Sequence, residues 1–169
     1  LFSAESKAER IEPFAAFDGD RIVGTGALFF PLLANTQMAF CDLETVPERR
    51  CEGIGSALVE HGLTRAADAG RSLVMGQANL PIGAGDDHPA KRFAARHGFA
   101  LANEEIRRLL QLPVDDAVIQ GWIDECAPHH LDYRIEQYVD DGVPDHLLPS
   151  YVHTMNQLSA DAPTGDIEF

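Results

Sequence analysis

The sequence predicts a mixed α/β (α+β) domain, and three features of the chain carry that prediction. Asp18-Gly19-Asp20 separates two apolar runs, the strongest short-range signal of a β-hairpin. Residues 54–69 place apolar side chains at 54, 57, 58, 63, 66 and 67, which is helical spacing. Strand-like and helix-like segments then follow one another with long connections, as a layered sheet-and-helix domain requires.

Residues 1–12 are polar and mixed, and read as a short helix or a frayed end. Strands are expected at 13–17 and 21–30, the second carrying Ile22, Val23, Leu28, Phe29 and Phe30, with Pro31 ending or bending it. Residues 37–46 give a third strand: Met38, Phe40, Leu43 and Val46 are apolar, Cys41 and Thr45 suit a pleat, and Pro47 stops it. The helix of 54–69 closes with Gly70 at the position after its end. Residues 72–76 form a short buried strand, and 80–87, with Pro81, Gly83 and Gly85, a loop. Asp87 or His88 caps a short helix that has Pro89 in its first turn and Gly98 beyond its end. A strand pair is expected over 99–112, one arm at 106–112. After Pro113 the texture changes. A helix over 115–126 holds Trp122, 133–139 alternates like a strand, a helix runs from Val143 to about 158, and 162–166 is a loop.

With 169 residues the chain is about one domain, or one domain and an appendage. Apolar residues at 45% and charged residues at 24% exclude disorder as the main state. Thirteen Lys and Arg stand against 27 Asp and Glu, a net charge of −14 that repels a polyphosphate backbone and excludes nucleic acid as a partner. The same balance accommodates a cationic small molecule. No apolar run approaches the ~18 residues of a membrane span, so no membrane partner is expected. The cysteines at 41, 51 and 126 fit no zinc spacing, and His129-His130 lack ligands at the right distance in sequence, so no metal is expected. Reduced thiols and the lack of an export leader point to the cytoplasm. Starting at Leu1 without Met, the chain reads as a piece of a longer protein.

The stretch from Leu43 to Leu58 carries the chemistry. A strand stops at Pro47, a loop presents Arg49 and Arg50, and Gly53-Ile54-Gly55 opens a helix. The first-turn N–H groups of a helix have no partner within it and carry partial positive charge. Glycines let a phosphate approach that backbone, and the arginines can add charge-assisted hydrogen bonds. The pair lacks the third glycine of a dinucleotide fingerprint and the Gly-Lys-Ser/Thr ending of a P-loop.

Arg50-Cys51-Glu52-Gly53-Ile54-Gly55 resembles the Arg/Gln-x-x-Gly-x-Gly/Ala signature of the GNAT acyl-CoA N-acyltransferase superfamily, with Val46-Pro47 before it and Ser56-Ala57-Leu58 after it. Residues 90–99, from Ala90-Lys91-Arg92-Phe93 to His97-Gly98-Phe99, resemble the family's short helix and following strand near the thioester of coenzyme A. The resemblance covers about residues 13–112 and implies a central mixed, mostly antiparallel sheet flanked by helices. It implies acetyl-CoA, or another acyl-CoA, as co-substrate, and acyl transfer to the amine of a small molecule. Backbone groups of Glu44, Thr45 and Val46 would pair with the pantetheine arm, and N–H groups from Cys51, Glu52, Gly53, Ile54, Gly55 and Ser56, beside Arg50, would hold the pyrophosphate.

The chain departs from the family where acid and base are expected. Ala94 stands where the family has Tyr, with Phe93 beside it. Asp87 replaces the usual Asn, and Ala39 the usual carboxylate of the third strand. Glu44 and Asp87, with Cys41, are the remaining candidates, Asp42 and Glu44 lying on the strand face opposite Ala39. His97 reads as a helix-end residue favoured by the dipole. The family's first strand and two helices are missing before residue 13, giving residues 1–113 as an incomplete GNAT-like unit. Residues 114–169 read as a linker helix and the start of a second such unit. The partner expectations are a homodimer or that intramolecular second unit. The rival function is a non-catalytic coenzyme A-binding or structural half of a tandem protein.

Overall fold

The computed structural model describes residues 6–139 and 142–161. They divide into two compact units between Leu101 and Ala102.

The first unit is built on a four-stranded sheet in the order β1-β2-β3-β4. β1 is Glu9–Asp18, β2 Arg21–Pro31, β3 Met38–Thr45 and β4 Leu73–Met75. β2 lies between β1 and β3 and runs antiparallel to both, and β4 joins β3 in parallel. The Asp-Gly signal is realised as a hairpin with Asp18 opposite Arg21. β1 starts at Glu9, where the sequence predicted a helix or frayed end before residue 13. Its charged residues are accommodated because this is an edge strand. Glu12 accepts from Arg65 of the first helix at 2.7 Å and pairs with Arg10 at 3.1 Å.

Helix α1, Ile54–Asp68, packs on one face of the sheet. β2 makes room for it: a Cβ on Gly24 would lie 2.9 Å from Ile54 Cγ2 and Leu58 Cδ1. Leu28, Phe30, Ala39 and Ala66 form the buried cluster, with Phe14, Cys41, Ala69 and Val74 against it. Burying each large apolar side chain here contributes about 2 kcal/mol. α1 ends as the sequence predicts, with Gly70 at φ +73° and Arg71 N–H donating to Ala66 O at 3.0 Å. Helix α2, Pro89–Arg96, is capped by His88, whose Nδ1 accepts from Ala90 N–H at 3.3 Å.

Two expected strands do not form. Residues 99–112 have no strand, so the predicted pair with an arm at 106–112 is corrected, and residues 133–139 of the second unit have none either. Alternation gives a segment two faces, but a strand also needs a ladder partner, and neither segment has one among the described residues. In the second unit α3 spans Asp116–Cys126, capped by the Asp115 side chain, which accepts from Ala117 N–H at 2.8 Å. α4 spans Leu148–Asp161 and starts later than Val143. Pro144 and Asp145 instead make a turn, with Leu147 N–H donating to Pro144 O at 2.8 Å. The expected loop at 162–166 lies outside the described residues.

Candidate active site

Three features of the first unit converge at the C-terminal end of β3. The first is an open sheet edge. β4 pairs with β3 only as far as Phe40, opposite Met75, and beyond it β3 pairs with β2 alone among the described residues. Val46 N–H donates to Val23 O at 3.1 Å, so by antiparallel alternation the backbone groups of Glu44 and Asp42 also face β2. Those of Leu43 and Thr45 face the open edge. Val46 O accepts from Arg49 N–H at 2.9 Å, so both its backbone groups are engaged.

The second feature is the loop into α1. A 3-10 turn over Pro47–Arg49 leads to Arg50 in extended conformation. Cys51 then takes φ +64° and Gly53 φ +88°. The left-handed conformation suits glycine but costs Cys51 about 1 kcal/mol. Gly53 is the N-cap, no side chain caps the helix, and its first turn holds no acidic residue. The N–H groups of Ile54, Gly55 and Ser56 therefore keep their hydrogen-bonding capacity at the positive end of the dipole. Of the two arginines expected to serve an anion, Arg49 is committed elsewhere: Nε donates to Glu52 at 2.7 Å and Nη1 to Asp18 at 2.9 Å. The Arg50 N–H closes the turn onto Pro47 O at 3.4 Å, while its side chain is exposed and makes no hydrogen bond or ion pair among the described residues.

The third feature is α2, which stands over this helix start. A Cβ on Gly55 would lie 3.2 Å from Phe93 Cε2 and 3.7 Å from Thr45 Oγ1. His97 Nε2 is 3.0 Å from Ser56 Oγ, and the rings of Phe93 and His97 are 4.8 Å apart. Gly55 thus has a packing reason to lack a side chain. The sequence placed His97 at a helix end but gave no sign of its contact with Ser56, which joins residues 41 positions apart.

The sheet face opposite α1 carries a groove of about 600 Å³, lined among others by Pro13, Ala15, Thr25, Phe29, Asp42 and Glu44. The even-numbered β3 residues fall on this face, as strand alternation requires. Glu44 and Asp42 are exposed in it. Cys41 is not: it faces α1, its Sγ 3.0 Å from where a Gly62 Cβ would lie. Burial, with the nearby charge of Asp42, pushes its thiol up to about 11, so at neutral pH it is neither base nor nucleophile. Asp87 is exposed on the loop before α2, its Oδ1 against Gly85, and does not line the groove. The two carboxylates singled out from sequence are therefore not neighbours in one pocket. The groove itself was missed, although the alternation Thr25, Ala27, Phe29 was there to be read.

The model of the Acetyltransferase (GNAT) family matches residues 2–99. This chain belongs to that family. A tandem GNAT protein from the clavulanic acid biosynthesis pathway is 31% identical, over 56% of this chain and 29% of its own, with a TM-score of 0.49. This chain thus spans less than a third of that protein. A transcriptional regulator from Bacillus halodurans is 27% identical over 63% of this chain and 69% of its own, with a TM-score of 0.49. A Pyrococcus furiosus protein described as an acetyl transferase shares the fold at 20% identity, over 60% and 66%, with a TM-score of 0.50. No curated protein matches the chain. The mixed sheet flanked by helices is the GNAT fold. Among the described residues no helix is long and apolar enough to cross a membrane, and no group of three or more His, Cys, Asp or Glu could hold a metal ion.

Proposed function

We propose that this GNAT chain moves an acyl group from an acyl-coenzyme A, acetyl-CoA foremost, to the amine of a small molecule. The observation that carries the reading is the uncapped start of α1 with Arg50 uncommitted beside it, next to the unpaired edge of β3. In this reading the diphosphate takes the N–H groups of residues 51–56, and the pantetheine amides pair with Leu43 and Thr45 as an added strand would. The acceptor lies in the groove, where Asp42 and Glu44 favour a cationic amine.

The step is attack of a neutral amine nitrogen on the thioester carbonyl carbon, with the C–N bond forming and the C–S bond breaking. The nitrogen's proton passes to the Glu44 carboxylate, directly or through water, and the thiolate leaves. Ala94 offers no hydroxyl to that thiolate, so its proton comes from solvent, and the rate forgoes the roughly hundredfold or more that a positioned acid supplies. Asp87, on the loop before α2, is the second carboxylate of the proposal. Residues 114–169 are, in the same reading, a linker helix, supported by α3, and the opening of a second unit, which or a second copy would be the protein partner. The protein would work in the cytoplasm.

Ala94 favours one rival, a half that binds coenzyme A without catalysing transfer. Calorimetric titration with acetyl-CoA, beside Arg50→Glu, tests the donor site, and thiol release with a panel of amines tests turnover. Micromolar binding that Arg50→Glu weakens tenfold or more supports the donor site. Binding without thiol release selects the rival, and no binding by the folded chain refutes both. Gly55→Glu is a poor substitute, because its side chain would collide with Phe93 whether or not a ligand binds there.

A further inference from the structure

Arg49 precedes the signature arginine, yet its guanidinium is spent within the protein. Nη1 reaches Asp18, at the end of β1, across 31 residues, and Nε reaches Glu52 inside the loop. The Arg49–Glu52 contact spans Arg50 and Cys51. A non-glycine residue such as Cys51 stays left-handed only where its surroundings determine it. Glu52 lies between the two left-handed residues of a loop that, on the donor-site reading above, meets a diphosphate. Left unpaired, its carboxylate would repel that ligand. Arg49 neutralises it and ties the same loop to the β1–β2 hairpin.

We propose that Arg49 is a positioning residue for the acyl donor, the Asp18–Arg49–Glu52 clamp holding residues 50–53 in the shape that presents the first-turn amides of α1. The proposal rests on the donor-site reading for its function and on the clamp geometry for its structure. Side-chain exposures of 32% for Arg49, 64% for Asp18 and 45% for Glu52 set a modest scale. Pairs this exposed are screened by solvent, so removing both should lower affinity only about fivefold.

The test compares the full chain with Arg49→Ala, Arg49→Lys and Asp18→Asn in two measurements. Backbone nitrogen-15 order parameters over residues 50–56 are followed by NMR in the free protein, and coenzyme A binding is followed by calorimetry. Arg49→Ala should lower the order parameters of that segment and weaken coenzyme A about fivefold, with unchanged order parameters in β2. Arg49→Lys should restore part of both. Asp18→Asn, which lies outside the loop, should loosen the same segment to a smaller extent. Weaker binding with unchanged order parameters would overturn the proposal, since Arg49 would then be a direct phosphate ligand. Unchanged order parameters and unchanged binding would overturn it as well. If the wild-type chain fails to bind coenzyme A, the donor-site reading falls. The NMR arm still decides the clamp: unchanged order parameters in Arg49→Ala remove it, and a loss of order confined to 50–56 keeps it as a device that shapes the loop.

Discussion

Replacing Gly26 with alanine drives a methyl group into the ring of Phe14. The new Cβ would lie 2.3 Å from Cζ and 2.4 Å from Cε2 of that ring, and 2.8 Å from Leu43 Cδ2. The ring has little room to retreat: it lies 4.8 Å from the ring of His61, and its Cζ is 3.7 Å from where a Gly62 Cβ would sit. Overpacking of this kind costs about 1–3 kcal/mol. Removing a glycine from a strand returns roughly 0.5–1 kcal/mol through the unfolded chain. The expected net loss is therefore about 1–2 kcal/mol. Urea unfolding followed by far-ultraviolet circular dichroism measures it. Fluorescence would report on the other unit, because the single tryptophan, Trp122, sits on α3. Phe14→Leu removes the obstructing ring, so the double variant should lose about 1 kcal/mol less than the sum of the singles. A Gly26→Ala protein as stable as wild type, or a strictly additive double variant, would refute the reasoning.

Cys51 is exposed and Cys41 is held protonated, so iodoacetamide at pH 8 should label Cys51 in the folded chain and Cys41 only after unfolding, as read by peptide mass spectrometry. Because the folded thiol of Cys41 ionises near 11 rather than its ordinary 9, the unfolded chain loses that proton first. Stability should fall as pH rises across that window, and Cys41→Ala should flatten the fall in urea titrations. Gly24→Ala places a methyl 3.1 Å from Glu44 O as well as against Ile54 and Leu58, and should cost about 1–3 kcal/mol by urea unfolding. Asp115→Ala removes the cap of α3 and should cost that helix about 1 kcal/mol, seen as faster amide exchange at Ala117 and its neighbours.

Most of the first unit could be read from sequence because its signals are local. Asp-Gly set the hairpin, Pro47 ended β3, and Gly70 ended α1, each within a few residues of the event it governs. β1 was read too short because residues 9–12 are mostly charged, and what allows charge there is Arg65, far along the chain. Residues 106–112 and 133–139 failed for the opposite reason. Their composition suits a strand, but a ladder partner is a property of the fold rather than of the segment. At the candidate site the loop was legible and its wiring was not. Two adjacent arginines look alike in sequence, yet Asp18 and Glu52 engage one and leave the other open. The helix start at Gly53 was expected, whereas the contact of α2 with it through Phe93 and His97 depends on a loop whose course no local pattern gives.

The early end of β3–β4 pairing gives one strand two kinds of chemistry. Beyond Phe40 its edge offers main chain, and every residue type except proline has the same main-chain donors and acceptors. An amide-bearing chain laid along that edge would be read by the spacing of its amides rather than by the side chains of Leu43 and Thr45. The groove face works the other way, because Asp42 and Glu44 meet their surroundings through side chains. A substitution such as Glu44→Gln would therefore alter the face and leave the edge's hydrogen-bonding pattern as it is.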